Sequence, residues 1–290
     1  MEMTKEKRKC IPVVIALVVF AAALVFAGVC DLDISLAVAD PMSVFGRLLG
    51  ILGEPPAILF TAFNCALIAA RFLKKPEKKR KYYALTALAC VGMVGTSFYT
   101  VHATFKYAFA WSADINGTEL IIPGWVTPVS VLICVVISAI MLVIAMRMKR
   151  ETLDKIFDTA CRCVFVGVTT FVVIWLFKLV WGRVRFRSMD GDYSLFTRWF
   201  IPQGFTGNYS FPSGHTSNAA VIFTSTYYLR FSERKYLKPV MYSCLTVWLV
   251  TVALSRVLVG AHFLSDVLCG MAITLTIVRL WRPKKEPLFV

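Results

Sequence analysis

Apolar residues in this chain gather into eight runs, at 11–30, 55–73, 82–104, 125–146, 160–181, 212–230, 239–258 and 263–281. A helix needs about 20 apolar residues to cross the hydrocarbon core of a bilayer. Eight such runs predict an all-α, polytopic transmembrane bundle in which lipid is the solvent for most side chains. Composition agrees. The chain is 58% hydrophobic and only 17% charged, against about 25% charged in a typical soluble domain. That balance excludes a disordered chain, a nucleic-acid-binding domain and a secreted disulfide scaffold. The expected organisation is one integral membrane domain over 1–290, with basic tails at 1–9 and 282–290. The first run is long for a cleaved signal, so an uncleaved anchor is expected.

The formal net charge of +15 is explained by topology rather than by nucleic acid. With the N-terminus in the cytoplasm, 24 of the 32 Lys and Arg residues fall on the cytoplasmic side and 8 on the other. This is a positive-inside distribution. The densest cluster, Arg71 to Lys81, reads as an anchor touching anionic headgroups. Five of the eight exceptions, Lys178, Arg183, Arg185, Arg187 and Arg198, crowd into one outer stretch with only Asp190 and Asp192 against them. A basic cluster on that side opposes insertion and points to an anionic ligand. Residues 44–52 are apolar but too short to span; they fit an interfacial helix or an extension of the second run. The nine cysteines show no metal spacing and read as free thiols.

Three constellations lie near the outer ends of the last four runs. They are Lys178 with Arg185, then Ser210-Phe211-Pro212-Ser213-Gly214-His215, then Ser255-Arg256 followed by His262 and Asp266. Lys178, Arg185 and Arg256 supply positive charge, and arginine presents a planar fork that matches phosphate oxygens in pairs. Ser213 and Gly214 open a helix, whose unpaired N–H groups form an anion seat. His262 and Asp266 are four apart, so on a helix they share a face, and the carboxylate can fix the imidazole tautomer. His215 is a second imidazole, suited to protonating a leaving oxygen.

Together these motifs resemble the signature of the type 2 phosphatidic acid phosphatase superfamily, which comprises integral membrane lipid phosphatases and their relatives. The resemblance covers Lys178 to Asp266, within a motif-bearing half at 160–281. It implies that His262 is a nucleophile held by Asp266 and that His215 is the general acid. It also implies that Lys178, Arg185, Ser213, Gly214 and Arg256 bind the phosphoryl group, with no metal and no cofactor. The expected reaction is hydrolysis of a lipid phosphate, monoester or diphosphate, at the extracytoplasmic face of the plasma (inner) membrane. The expected partners are that substrate and membrane lipids, with both termini cytoplasmic. A phosphotransferase using a lipid or sugar acceptor, and a non-catalytic lipid-phosphate binder or transporter, stay open as alternatives. Two departures stand out. Phe186 replaces the family's usual proline, and five runs precede the first motif where the family's six-helix core has three. The extra pair is placed at 82–146.

Several residues carry a plainer expectation. His102 reads as packed or interfacial, Arg183 and Arg187 as headgroup or loop contacts with secondary attraction of the substrate as the alternative, and Trp175, Trp181, Trp199 and Trp248 as an interfacial belt. The sequence carries no signal for the oligomeric state or for which lipid phosphate is taken.

Overall fold

The computed structural model describes residues 5–77 and 79–283, with side chains from Ile15 onward except Ala16. The predicted tails 1–9 and 282–290 lie outside the described residues, apart from helical backbone from Lys5 and the residues Arg282 and Pro283.

Helices follow one another as α1 (Lys5–Val38), α2 (Val44–Leu52), α3 (Pro55–Leu73), α4 (Arg80–Asn116), α5 (Val126–Arg147), α6 (Arg150–Trp181), α7 (Gly214–Val221), α8 (Leu237–Leu258) and α9 (Leu264–Leu280), and 3₁₀ turns over Ile222–Phe231 continue α7. Among the described residues there is no strand. Each of the eight apolar runs falls on a helical segment. Six segments are long and apolar enough to cross a membrane, α2 and α3 counting together as Val44–Leu73. The other two are α7 with its 3₁₀ extension, and α9, which has 17 residues. α9 stands apart by its shorter length, and the α7 segment is divided between an eight-residue α-helix and a ten-residue 3₁₀ stretch.

α2 is a separate short helix. Ser43 caps its start by accepting from the Gly46 N–H at 3.3 Å. Pro55 then opens α3, where proline loses no intrahelical hydrogen bond. α1 runs eight residues past the predicted end at 30, which puts Asp31 inside the helix.

α3 is the central pillar and packs on α4, α5 and α6. Its buried face is built from Ala57, Ala62, Ala66, Ala69 and Ala70. Small side chains let helices approach closely where lipid supplies no hydrophobic drive between them. A second core joins α6, α7, α8 and α9 through Val166, Ala219, Ala220, Leu249, Val252 and Ile277. Outward-facing Val131, Leu132, Ile140, Phe165 and Leu176 are exposed, as a lipid-facing belt requires.

At the basic end, part of the Arg71–Lys81 cluster is drawn inward. Arg71 Nε pairs with Asp154 Oδ1 at 2.7 Å and its guanidinium lies 3.8 Å from the Phe157 ring centroid. Lys74 Nζ donates to the Met148 carbonyl at 2.6 Å. These contacts tie α3 to α5 and α6, a role the charge count does not reveal. Of the cysteines, Cys65, Cys134, Cys163 and Cys269 are buried free thiols, whereas Cys244 is exposed.

Candidate active site

Helices of alternating direction bring one end of α6, α7, α8 and α9 together with α2, the start of α3 and the second half of α4. Between them lies a cavity of about 870 Å³. Lys178, Arg185, Gly214, His215, Arg256 and His262 all line it. Three motifs separated by up to 84 positions thus converge on one space.

The anchor beneath this cavity is Asp266, fully buried in the first turn of α9. Its Oδ1 accepts from Arg183 NH1 at 2.6 Å, and its Oδ2 accepts from the Ser210 hydroxyl at 2.6 Å and the Phe263 N–H at 3.0 Å. Oδ2 also lies 3.6 Å from His262 Nδ1. A carboxylate with this many donors stays ionised and cannot rotate. Burial pushes the His262 imidazole down to about 3, against the pull of Asp266. The ring is therefore neutral at ordinary pH, with a lone pair free.

Arg183 is the residue whose role the sequence misassigns. It is not a headgroup contact: only 1% exposed, it bridges Asp266 and Asp31, reaching Asp31 Oδ2 at 3.0 Å. It also donates to Ser265 Oγ at 2.8 Å and to the Thr197 carbonyl at 2.9 Å. Asp31 in turn accepts from the Ser265 N–H at 3.0 Å, capping the start of α9. Gly182, at φ 54°, turns the chain at the end of α6 so that Arg183 points inward. Gly270 does the same for packing: a side chain there would run into the Ser213 carbonyl, which α7 brings against α9.

The cavity cations are held differently. Lys178 Nζ donates to the neutral Tyr209 carbonyl at 2.6 Å, and Arg256 reaches the Gly46 carbonyl and, at 3.1 Å, Ser255 Oγ. Buried Arg185 Nε has no hydrogen-bond partner among the described residues. None of the three pairs with a carboxylate among those residues, so their charge is available to an anion. Gly214 leaves room beside Lys178, whose Cε would sit 3.6 Å from an added Cβ.

Ser213 behaves otherwise than expected. It is fully buried, it is not among the cavity-lining residues, and its hydroxyl caps α7 by accepting from the Thr216 N–H at 3.4 Å and the Thr216 hydroxyl at 3.1 Å. His215 Nε2 lies 3.1 Å from the Gly50 carbonyl and its Nδ1 lies 3.5 Å from Glu54 Oε1. Glu54 lines the cavity and is not among the site residues expected from the motifs. Its signal was present: an acidic side chain at the mouth of an apolar run, as with Asp31, marks function by default. Arg187 lines the cavity mouth and is exposed, with its N–H held by the Gly260 carbonyl at 3.0 Å. Phe186 replaces loop-shaping proline with packing, stacked 5.8 Å from Tyr193 and edge-on to Phe263. His102 is packed on Phe98 at 5.4 Å, away from the cavity. Trp175 belongs to the cavity wall, edge-on to Tyr209 at 5.7 Å, while Trp181 and Trp199 sandwich Phe211 in the loop.

Residues 158–286 match the family described as the PAP2 superfamily. The similarity to that superfamily covers 129 of the 290 residues. The matched PAP2 region holds every motif residue, whereas Asp31, Gly50, Glu54 and all of α4 lie outside it. The chain is also similar to phosphatidylglycerophosphatase B of Bacillus subtilis (strain 168), with 37% identity over 79 residues, which is 26% of this chain and 39% of that relative. The chain thus matches well under half the length of that relative. No solved structure matches the chain.

Proposed function

We propose that this protein hydrolyses a lipid phosphate, monoester or diphosphate, through a phosphohistidine on His262, without a metal. The observation that carries this reading is the convergence of His262, three unpaired cations and His215 on one cavity. Lys178, Arg185 and Arg256 stabilise charge on the transferring phosphoryl group, and the Gly214 backbone lets it approach the α7 start. Asp266 keeps the proton of His262 on Nδ1, which leaves Nε2 to attack phosphorus. His215 gives a proton to the leaving oxygen and then takes one from the attacking water.

Sidedness follows from charge. The cavity lies at the helix ends opposite Arg71–Lys81, and the positive-inside rule supports an extracytoplasmic site with both termini in the cytoplasm. A lipid substrate fits a cavity walled by Phe171 and Trp175 of α6, two residues that are also exposed on the apolar belt.

The test uses purified protein in detergent with a chelator present. Wild type releases phosphate from a long-chain lipid phosphate, and acid-labile phosphate can be trapped on the chain. His262→Ala loses activity by roughly 10³-fold or more. Turnover retained in that variant, or dependent on an added divalent ion, defeats the reading.

A further inference from the structure

His215 faces two acceptors. The Gly50 carbonyl, 3.1 Å from Nε2, can only accept. Glu54 Oε1, 3.5 Å from Nδ1, accepts unless the carboxyl carries a proton. A neutral imidazole owns one N–H and cannot satisfy both. The arrangement therefore calls for one more proton, on the ring or on Glu54. Glu54 has no other ionic partner among the described residues, and it is buried, only 4% exposed. A lone buried carboxylate is costly to keep charged, so sharing a proton with an adjacent imidazole relieves it.

Glu54 also grips α7 at a second point. The Asn218 amide donates to the same Oε1 at 3.0 Å. Asn218 and His215 are three apart on α7 and share a face. The carboxylate thus fixes the rotation of that face relative to α3. Its geometry repeats that of the other imidazole, where Asp266 Oδ2 stands 3.6 Å from His262 Nδ1.

We propose that Glu54 is the positioning residue for His215: it holds one proton at Nδ1 and so assigns Nε2 as the group that gives and takes the proton in each half of the reaction. The proposal rests on the phosphohistidine reading above. In the first half, the His262 Nε2 lone pair forms the bond to phosphorus. The bond from phosphorus to the lipid alcohol oxygen breaks with its electron pair on oxygen. The His215 Nε2 proton, held in the resting site by the Gly50 carbonyl, moves to that oxygen. The ring is then neutral, with Nδ1–H toward Glu54. In the second half, water gives a proton to Nε2 as its oxygen attacks phosphorus, and the nitrogen–phosphorus pair returns to His262. The site is restored with protons balanced.

Leaving-group dependence separates this role from a structural one. Two substrates share a phosphoryl group and a long chain: an alkyl phosphate, whose alkoxide needs a proton to leave, and a nitrophenyl phosphate, whose phenolate does not. For Glu54→Gln in the full-length protein, kcat/KM on the alkyl phosphate should fall about 10²-fold, and on the nitrophenyl phosphate less than about 3-fold. Equal losses on the two substrates, or no loss on either, overturn the proposal. A double-mutant cycle gives a second reading. In a His215→Ala background, Glu54→Gln should cost less than about 2-fold further, and an independent full cost overturns the proposal. Should Glu54→Gln fail to fold, Asn218→Ala, which frees one grip on the carboxylate, must show the same selectivity between substrates in smaller degree; equal losses there overturn it too. Failure of wild type on both substrates would instead overturn the phosphatase reading itself.

Discussion

The cavity has two walls built on opposite principles. The wall of α6 to α9 is closed beneath its lining: Arg183, Asp266, Ser210 and Ser265 answer one another before any ligand arrives, while Lys178, Arg185 and Arg256 face the cavity without a carboxylate partner among the described residues. The wall of α2 to α4 is sparse. It offers the Gly50 carbonyl, Glu54, the Arg47–Asp114 ion pair and the Tyr107 ring, which stands 5.0 Å from the His215 ring. One wall rests on a locked network behind the reacting groups, and the other meets the cavity with few contacts among its own polar groups. The difference teaches where mutation acts on folding and where it acts on substrate.

Two arginines two residues apart give the largest contrast. Arg183 is paired on both sides, so Arg183→Ala leaves Asp31 and Asp266 buried and uncompensated, at a cost of about 3–5 kcal/mol. Arg185 is unpaired, so Arg185→Ala should change stability by less than about 0.5 kcal/mol while weakening substrate affinity. Unfolding of the two variants in detergent, measured beside KM, checks this. Equal destabilisation would mean that Arg185 belongs to the closed network and would erase the distinction between that network and the cavity lining.

A smaller effect is expected across the cavity. Tyr107 lines the cavity and stands 5.0 Å from the His215 ring, a contact of about 0.5–1.5 kcal/mol that Tyr107→Ala removes together with part of the cavity wall. KM should rise about tenfold with kcat changed less than about threefold. A loss confined to kcat would instead place Tyr107 with the chemistry, alongside His215.

The two walls also differ in how far they are legible in sequence. The motif wall announces itself because its residues must keep fixed spacings. His262 and Asp266 meet through one helical turn, and Lys178 and Arg185 through the end of α6. The helices are legible for a similar reason, since lipid demands long apolar runs. What escapes is pairing at a distance. Asp31 meets Arg183 across 152 positions, and Glu54 meets Asn218 across 164. No local spacing encodes either contact. Arg183 is misread for the same cause: beside Arg185 in sequence, it looks like another outer cation, and only the fold turns it inward.

Ser213 gives the smallest expected effect and tests the boundary of the motif wall itself. Motif logic makes its hydroxyl a phosphate ligand. In the structure that hydroxyl accepts from the Thr216 N–H and hydroxyl and lies behind the lining, so what it secures is the start of α7. Losing an N-cap costs about 1 kcal/mol. Ser213→Ala should therefore lower unfolding stability by about that amount, and Ser213→Thr should restore part of it, because threonine also caps. Activity should fall only as far as the α7 start loosens, with kcat and KM both moving modestly. A loss of substrate affinity far beyond the cost of a cap, with stability unchanged, would return the hydroxyl to the phosphate. It would also mean that α7 shifts toward its ligand, making the motif wall less closed than its hydrogen bonds imply.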